Sequence, residues 1–370
     1  MSNNSQHSFF QSIAYNLAYN NLGLTYPNPS VGAVIVKDGR IISKAVTSGS
    51  GGSHAELLAI NNAIEDVKGA DLYVTLEPCS HFGKNPPCTE AILSSGIKRV
   101  FYSYKDPNPL VNGSGIFELE SKGVECFKLD ICDVGISHYN PLRYNRDKAF
   151  VSLKLATSLD MKIALKNGDS KWITNDKSRR YGHYLRRVND ITITGVGTVL
   201  ADDPSYNCRL DDNKETYLAI LDSNLRVSHN AKVFQEGVHK KIFVFFDKQL
   251  KDTDKLERFN SIKNLELVPI SKNTDGLDLS KILSFLEKKE FFSILVESGP
   301  CLISSFVDLG LVDLFYMFSA NKIIGKGGRD AFNIRSPEKL INCRNLSLVS
   351  VKTLGQDILR ILAANRLIND

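Results

Sequence analysis

Apolar and polar positions along this chain follow two periods, one near 3.6 residues and one near 2, and the two take turns. "FFQSIAYNLAYNN" spaces its apolar residues as a helix does. "VGAVIVKDGRIISKAV" then alternates in two runs joined at Asp38 and Gly39, which predicts a hairpin. "AELLAINNAIEDV" is apolar at Ala55, Leu58, Ala59, Ala63 and Val67, one face of an amphipathic helix. "LYVTL" predicts a short buried strand, "TEAILSSG" a short helix stopped by Gly96, and "RVFYSY" a further strand. Alternating helices and strands predict an α/β unit.

The pattern breaks over "ICDVGISHYNPLRYNRDK", where polar and turn-forming residues gather around Pro141. A new strand set opens at "FVSLKLATSLD" and continues through "DITIT", "YLAILD", "KIFVFF", "LELVPI" and "SILVES", with helical segments such as "DLSKILSFLEKK" between. The boundary falls near Asp147, giving one domain over 1–146 and a second α/β domain over 147–370. Two domains also suit the length, because 370 residues exceed a typical core of about 150. No internal repeat or low-complexity segment interrupts either half.

Composition narrows the class. With 42% hydrophobic and 24% charged residues the chain is an ordinary globular one, not a disordered one. The first residues carry no basic segment followed by an apolar core, and no run approaches the ~18 apolar residues of a membrane span, so a cytoplasmic protein is expected. The net charge of +5 is spread among interleaved acidic residues, as in "KKIFVFFDKQLKDTDKLER". That is a solvated surface and not a nucleic-acid footprint, with a slight preference for an anionic small substrate. Seven cysteines, an odd number, point away from a disulfide framework and toward metal or thiol chemistry for some of them.

Two short stretches concentrate that chemistry: "SHAEL" at Ser53–Leu57 and "TLEPCSHFGKNPPC" at Thr75–Cys88. His54 and Glu56 sit in the first turn of a helix expected to begin at Ser53, Cys79 follows the strand "LYVTL", and Cys88 opens the next helix. In an open α/β sheet such strand ends and helix starts gather at one crevice. One imidazole and two thiolates hold zinc with a fourth position open, the catalytic arrangement, and a carboxylate two residues from the histidine can move a proton. Each residue also has a plain structural reading. Ser53 and Glu56 make a capping box, S-x-x-E, and a lone cysteine is usually a small buried hydrophobe. The combination in this order favours zinc. Cys126, Cys132, Cys208, Cys301 and Cys343 lack ligand spacing and are assigned to packing.

"HAE…PC…C" resembles the zinc-dependent cytidine-deaminase-like superfamily, whose cysteines usually have two residues between them; here eight intervene. That spacing, with "YPNPSVGAVIVKDG" and "DPNP", is similar to the deaminase half of the bifunctional riboflavin-biosynthesis deaminase/reductases. "LKLATSLDMKIA", "GDSKWIT", "GTVLADDP", "VESGPCLISSF" and "NKIIG" resemble the reductase half, so the likeness spans nearly the whole chain. It implies a cytidine-deaminase-like α/β/α domain followed by a dihydrofolate-reductase-like α/β domain. It further implies one zinc ion held by His54, Cys79 and Cys88, with Glu56 as the catalytic proton shuttle. Asn28, Asp106 and Asn108 match positions facing a phosphoribosylamino-pyrimidine, although Asn-Pro pairs equally suit turns. Lys84 is either a phosphate contact or a solvated charge. One departure stands out: where the family often has a histidine, seven residues before His54, this chain has Thr47 in a Gly/Ser-rich loop.

For the second domain, Gly195 and Gly197 in "TGVGTVL" lack the third glycine and the acidic partner of a Rossmann fingerprint, which is rejected. In "VESGPCLISSF" a strand ends, glycine turns the chain and a helix begins, a natural anion seat or a plain turn. The resemblance implies NADPH, with Ala156, Trp172, Thr198, Asp202, Ser223 and the run Gly299, Pro300, Cys301, Leu302, Ile303, Ser304 and Ser305 at the cofactor. It puts Ser170, Arg186, Tyr206, Arg209 and Glu297 at the substrate, with the two arginines suited to a bidentate grip on a phosphate. Tyr206 stands where the family usually has leucine, so its contact is expected through the backbone. Trp172, the only tryptophan, would otherwise fill a core. The expected partner is a small molecule, with neither nucleic acid nor membrane, and a homo-oligomer is left open. A tRNA-directed deaminase, which needs a basic aromatic face, and a chain with one inactive scaffolding half are the competing readings.

Overall fold

The hairpin expected at Asp38 and Gly39 forms: β1 (Gly32–Lys37) and β2 (Arg40–Val46) pair antiparallel, and both turn residues take positive φ, 48° and 75°. A two-residue turn with both φ positive matches the right-handed twist of the strands it joins. The structure, a computed structural model, describes residues 3–25, 28–49, 52–81, 86–106, 112–129, 148–210, 216–235, 237–274 and 276–364. The chain divides into two compact units, Met1–Asp147 and Lys148–Asp370.

In the first unit, β3 (Asp71–Leu76), β4 (Arg99–Tyr104) and β5 (Glu125–Lys128) complete a five-stranded sheet of order β2-β1-β3-β4-β5. The β3/β4 and β4/β5 pairs are parallel, so helices must cross over between them. These are α3 (Cys88–Ser95), closed by Gly96 at φ 72°, and α4 (Ser114–Ser121). With α2 (Ala55–Asn61) they cover one face, where Ala59, Leu72, Val74, Ile92, Val100 and Leu119 are fully buried. On the other face α1 (Asn3–Asn20) packs Phe10 and Ala14 against Val34, Tyr73 and Phe101. A Cβ on Gly32 would lie 1.9 Å from the Ala14 carbonyl oxygen, so only glycine lets α1 approach this closely. The helix expected to run to Val67 stops at Asn61. The Asn61–Asn62 pair favours a cap over continued helix, while Ala63 and Val67 still pack on the core beyond it.

The second unit is built on a nine-stranded sheet. Its strands are β6 (Phe150–Thr157), β7 (Ile191–Gly195), β8 (Thr216–Leu221), β9 (His239–Asp247), β10 (Leu265–Ile270), β11 (Ser293–Val296), β12 (Leu314–Ser319), β13 (Leu346–Leu354) and β14 (Asp357–Ala364). Their order is β10-β9-β8-β7-β11-β6-β12-β14-β13. All neighbours up to β12 are parallel, and β14 and β13 add an antiparallel hairpin at one edge. Helices α5 (Asp176–Val188), α6 (Val196–Asp202), α7 (Leu279–Lys288) and α8 (Pro300–Asp308) make connections in this unit. In both sheets the carboxyl ends of parallel strands deliver the residues of interest, Cys79 after β3 and Glu297 after β11. Among the described residues no helix is long and apolar enough to cross a membrane.

Candidate active sites

In the first unit the ends of three elements meet. His54 is the N-cap of α2, Cys79 follows β3, and Cys88 begins α3 behind Pro87. His54 Nδ1 lies 3.2 Å from Cys88 Sγ and 3.4 Å from Cys79 Sγ, and the Cys88 N–H points at Cys79 Sγ across 3.4 Å. All three donor atoms fall within 4.8 Å of one another, the only such group found among the described residues. Donor edges of tetrahedral zinc with nitrogen and sulfur ligands are about 3.6 Å, so this set fits zinc with one vertex left over. The packing reading of these cysteines is thereby replaced, although both are buried.

The three groups and Glu56 act on one another at close range. The neighbouring Cys88 thiol, with His54, draws the Cys79 thiol down to about 4, while Cys88 is pushed up by its bond to Cys79 and by burial. The bond to Cys79 holds His54 up at about 9 against the opposing effect of burial, with smaller contributions from the Glu56 and Asp106 charges. Glu56, 4% exposed, is pushed up to about 7 by burial foremost and by the Cys79 charge next. A carboxyl that exchanges its proton near neutrality is what general acid–base work requires. The capping-box alternative fails: the N-cap is His54 and not Ser53, and no side chain caps this helix.

Around this cluster the expected substrate positions fare differently. Half-buried Asn28 is held in a turn, its N–H on the Thr25 carbonyl and its own carbonyl accepting from the Thr25 hydroxyl, both at 2.8 Å. Asp106 lies near enough for its charge to act on His54. Asn108 and Lys84 lie outside the described residues. Thr47 is buried and committed to backbone: its hydroxyl accepts from Val31 N–H at 2.9 Å and its carbonyl from Asn21 Nδ2 at 2.9 Å. Glu77 was not singled out from sequence. It is 2% exposed and its carboxylate accepts the N–H groups of Asp106, Gly113, Gly115 and Ile116. The available signal was a carboxylate at a strand end beside the Pro-Cys pair.

In the second unit Glu297 is the centre of an ion network. Arg186 Nε and Nη2 donate to its two oxygens at 2.8 and 3.0 Å, and Lys154 Nζ donates at 3.1 Å. Burial opposes the charge of Glu297, but Arg186 and Lys154 overcome it and hold the carboxyl well below the usual carboxylate range. The phosphate grip expected of Arg186 is therefore not what the structure shows, because its fork is closed on Glu297 and Nη1 on the Asn207 carbonyl at 3.1 Å. Arg209 is exposed, with Nε donating to Asn207 Oδ1 at 3.2 Å. Tyr206, at φ 51°, is buried with its hydroxyl donating to the Glu297 carbonyl at 3.0 Å and 2.6 Å from Thr194 Oγ1, while Arg186 lies over its ring. Ser170 is half-buried.

The cofactor positions cluster in part. Thr198 Oγ1 accepts the Gly299 N–H at 2.9 Å, and Ser298 Oγ accepts the Gly195 N–H at 3.0 Å, binding the two glycine turns together. Ser298 is a further residue that sequence reasoning passed over. Helix α8 starts at Pro300 with Gly299 as N-cap and no side chain capping it, which leaves its first N–H groups for an anion. Ile303 and Ser304 turn inward, Ile303 into the core and Ser304 to accept from Asn333 N–H at 2.7 Å, and the Ser305 hydroxyl donates to the Cys301 carbonyl at 3.1 Å. Cys301 is exposed, so its assignment to packing is corrected. Trp172 is 62% exposed with Arg179 stacked 4.5 Å over its ring, so it fills no core. Ala156 and Ser223 are half-buried and Asp202 exposed.

A His/Cys/Cys cluster with an adjacent buried carboxyl on a mixed five-stranded sheet is the arrangement of zinc-dependent nucleobase deaminases, here followed by a separate, mainly parallel α/β unit. Family models divide the chain the same way: the cytidine and deoxycytidylate deaminase zinc-binding region matches residues 4–104 and the RibD C-terminal domain matches 149–360. The chain belongs to the RibD family of riboflavin-biosynthesis proteins. It is 37% identical to the RibD protein of Aquifex aeolicus, over 94% of this chain and 96% of that one. To that of Bacillus amyloliquefaciens it is 38% identical, over 95% and 94% respectively. Among solved structures, the diaminohydroxyphosphoribosylaminopyrimidine deaminase/5-amino-6-(5-phosphoribosylamino)uracil reductase of Thermotoga maritima superposes with a TM-score of 0.83 at 34% identity, covering 98% of this chain and 99% of that one.

Proposed function

We propose that this chain performs two consecutive steps of riboflavin biosynthesis, in the cytoplasm and on a small molecule. The first unit hydrolytically deaminates 2,5-diamino-6-(5-phosphoribosylamino)pyrimidin-4-one. The second uses NADPH to reduce the ribosyl chain of the resulting 5-amino-6-(5-phosphoribosylamino)uracil to ribityl. The observation that carries the reading is the convergence of His54, Cys79 and Cys88 beside a buried Glu56.

Those three side chains would hold zinc, which would supply the positive charge that lets a water ionise at neutral pH. Glu56 would take that proton and give it to the ring nitrogen; it would then take the proton of the hydroxyl newly attached to the ring carbon and pass it to the departing amine. Burial suits it to these transfers by raising its carboxyl to about 7. Asn28 and Asp106 orient the pyrimidine.

NADPH bound in the second unit would supply the hydride for the first carbon of the opened ribose. The free N–H groups at the start of α8, with Thr198 and Ser298 fixing the turn before it, seat a phosphate of the dinucleotide. Arg209 meets the ribose phosphate. Glu297, Lys154 and Arg186 form a rigid charged wall in which every group is paired, so substrate is met by preset geometry and not by reorganisation.

The test joins metal analysis with one variant. The purified chain should carry about one zinc ion, as a single three-ligand site requires. Glu56→Gln should keep that zinc and lower ammonia release by about a hundredfold or more. Ammonia release near the normal rate by this variant would remove Glu56 from the chemistry.

A further inference from the structure

Glu77 stands outside the metal cluster, two residues before Cys79, yet it is among the most deeply buried charged side chains of the first unit. Its carboxylate is fully occupied by backbone. Oε2 accepts from Asp106 N–H at 3.1 Å and from Gly113 N–H at 2.9 Å; Oε1 accepts from Gly115 N–H at 3.0 Å and from Ile116 N–H at 3.3 Å. One oxygen thus ties Asp106 and Gly113 to the end of β3, and the other caps the first turn of α4, whose N-cap Gly113 has no side chain to do so.

Two further contacts close the same seam. Ser80 and Ser114 share a hydrogen bond of 2.7 Å, and a Cβ on Gly115 would lie 1.9 Å from the Pro78 carbonyl oxygen. The backbone carrying Cys79 and the start of α4 are therefore in direct contact, with glycine required between them. A carboxylate bonded by several backbone N–H groups fixes those groups relative to one another, because each lost bond leaves a buried donor unpaired.

We infer that Glu77 is a positioning residue for the pyrimidine substrate, holding Asp106 by its backbone N–H at the strand end that carries Cys79. This rests on the proposed reading that Asp106 meets the substrate. Glu77 touches neither substrate nor metal, and its effect passes through the backbone it holds. Misplacing Asp106 weakens substrate binding more than it slows a bound substrate, whose reacting carbon faces His54, Cys79, Cys88 and Glu56.

The test uses the zinc-loaded full chain and measures ammonia release against substrate concentration. Glu77→Gln preserves shape but turns an amide N–H2 toward two backbone N–H groups, so two of the four bonds are lost whichever way the amide lies. The expected result is a KM raised by about tenfold, with kcat changed by less than about threefold. Zinc content and NADPH oxidation with the deaminated substrate should be unchanged. Gly115→Ala perturbs the seam from the opposite side with Glu77 intact, and should raise KM in the same way. Asp106→Ala is the control for the underlying reading. If Asp106→Ala raises KM while Glu77→Gln and Gly115→Ala do not, the positioning role is overturned and the substrate reading survives. If Asp106→Ala leaves KM unchanged, the substrate reading falls and this inference with it. Loss of zinc or of the folded unit in Glu77→Gln, or a fall in kcat alone, overturns the proposal by making Glu77 part of the metal site or of the core.

Discussion

Arg186 and Arg209 carry the same side chain into opposite surroundings, one buried against a carboxylate and one exposed. Arg186 is paired with a carboxylate 111 residues away along the chain, a partnership set by tertiary contact and so invisible to spacing. Arg209 is exposed, and among the described residues its bond is made by Nε to Asn207. Arg209→Lys retains the charge but loses the planar fork, and NADPH oxidation with the phosphorylated substrate should show a KM raised by about five- to tenfold. An unchanged KM would return Arg209 to the solvated surface. The metal ligands were legible because soft donors in a fixed order are rare and carry their chemistry with them. Glu77 and Thr47 were not, because a carboxylate or hydroxyl that serves backbone N–H groups resembles any surface polar residue until the fold closes over it.

At the scale of elements the strand–helix alternation was readable wherever period and turn chemistry agreed, as at Asp38-Gly39 and Gly96. It was less so where tertiary packing overrode the local signal. The face running to Val67 is a true core face, but the helix beneath it ends at Asn61. The β13–β14 hairpin went unread; β13 lies at the sheet edge and is half exposed along its length. The turn before α8 gives a direct prediction. Gly299 has φ −76°, open to any residue, and a Cβ there would only touch Thr198 Oγ1 at 3.5 Å, so substitution acts through charge and not through strain. Gly299→Glu should place a carboxylate at the anion seat and raise the KM for NADPH by about a hundredfold, while Gly299→Ala stays near normal. Equal effects of the two would contradict the seat.

The start of β9 gives a pH prediction. His239 is buried, with Nε2–H donating to the Ser205 carbonyl at 2.8 Å and Nδ1 accepting from the Thr216 hydroxyl at 2.7 Å, and burial pushes it down to about 4. Since the folded form resists the proton that the unfolded chain binds near pH 6.5, stability is full above that pH and falls toward pH 4. The loss amounts to about 3 kcal/mol at ~1.4 kcal/mol per pH unit. Urea unfolding followed by the fluorescence of Trp172, the sole tryptophan and a member of this unit, should show that decline. His239→Asn should flatten it. An equally steep decline in the variant would assign the pH dependence elsewhere.

Across the whole molecule the central claim is that each activity is built by one unit. Every proposed zinc ligand and the proton shuttle precede Asp147, and every proposed cofactor residue follows it, on a sheet with its own core. The most direct measurement is made on Cys88→Ala, which removes one of three metal ligands from the first unit alone. Given the diaminopyrimidine, this variant should release no ammonia. Given the already deaminated phosphoribosylamino-uracil, it should oxidise NADPH at the rate of the unaltered chain. Loss of both activities in a soluble, folded variant would contradict the account, because the second site would then depend on the first.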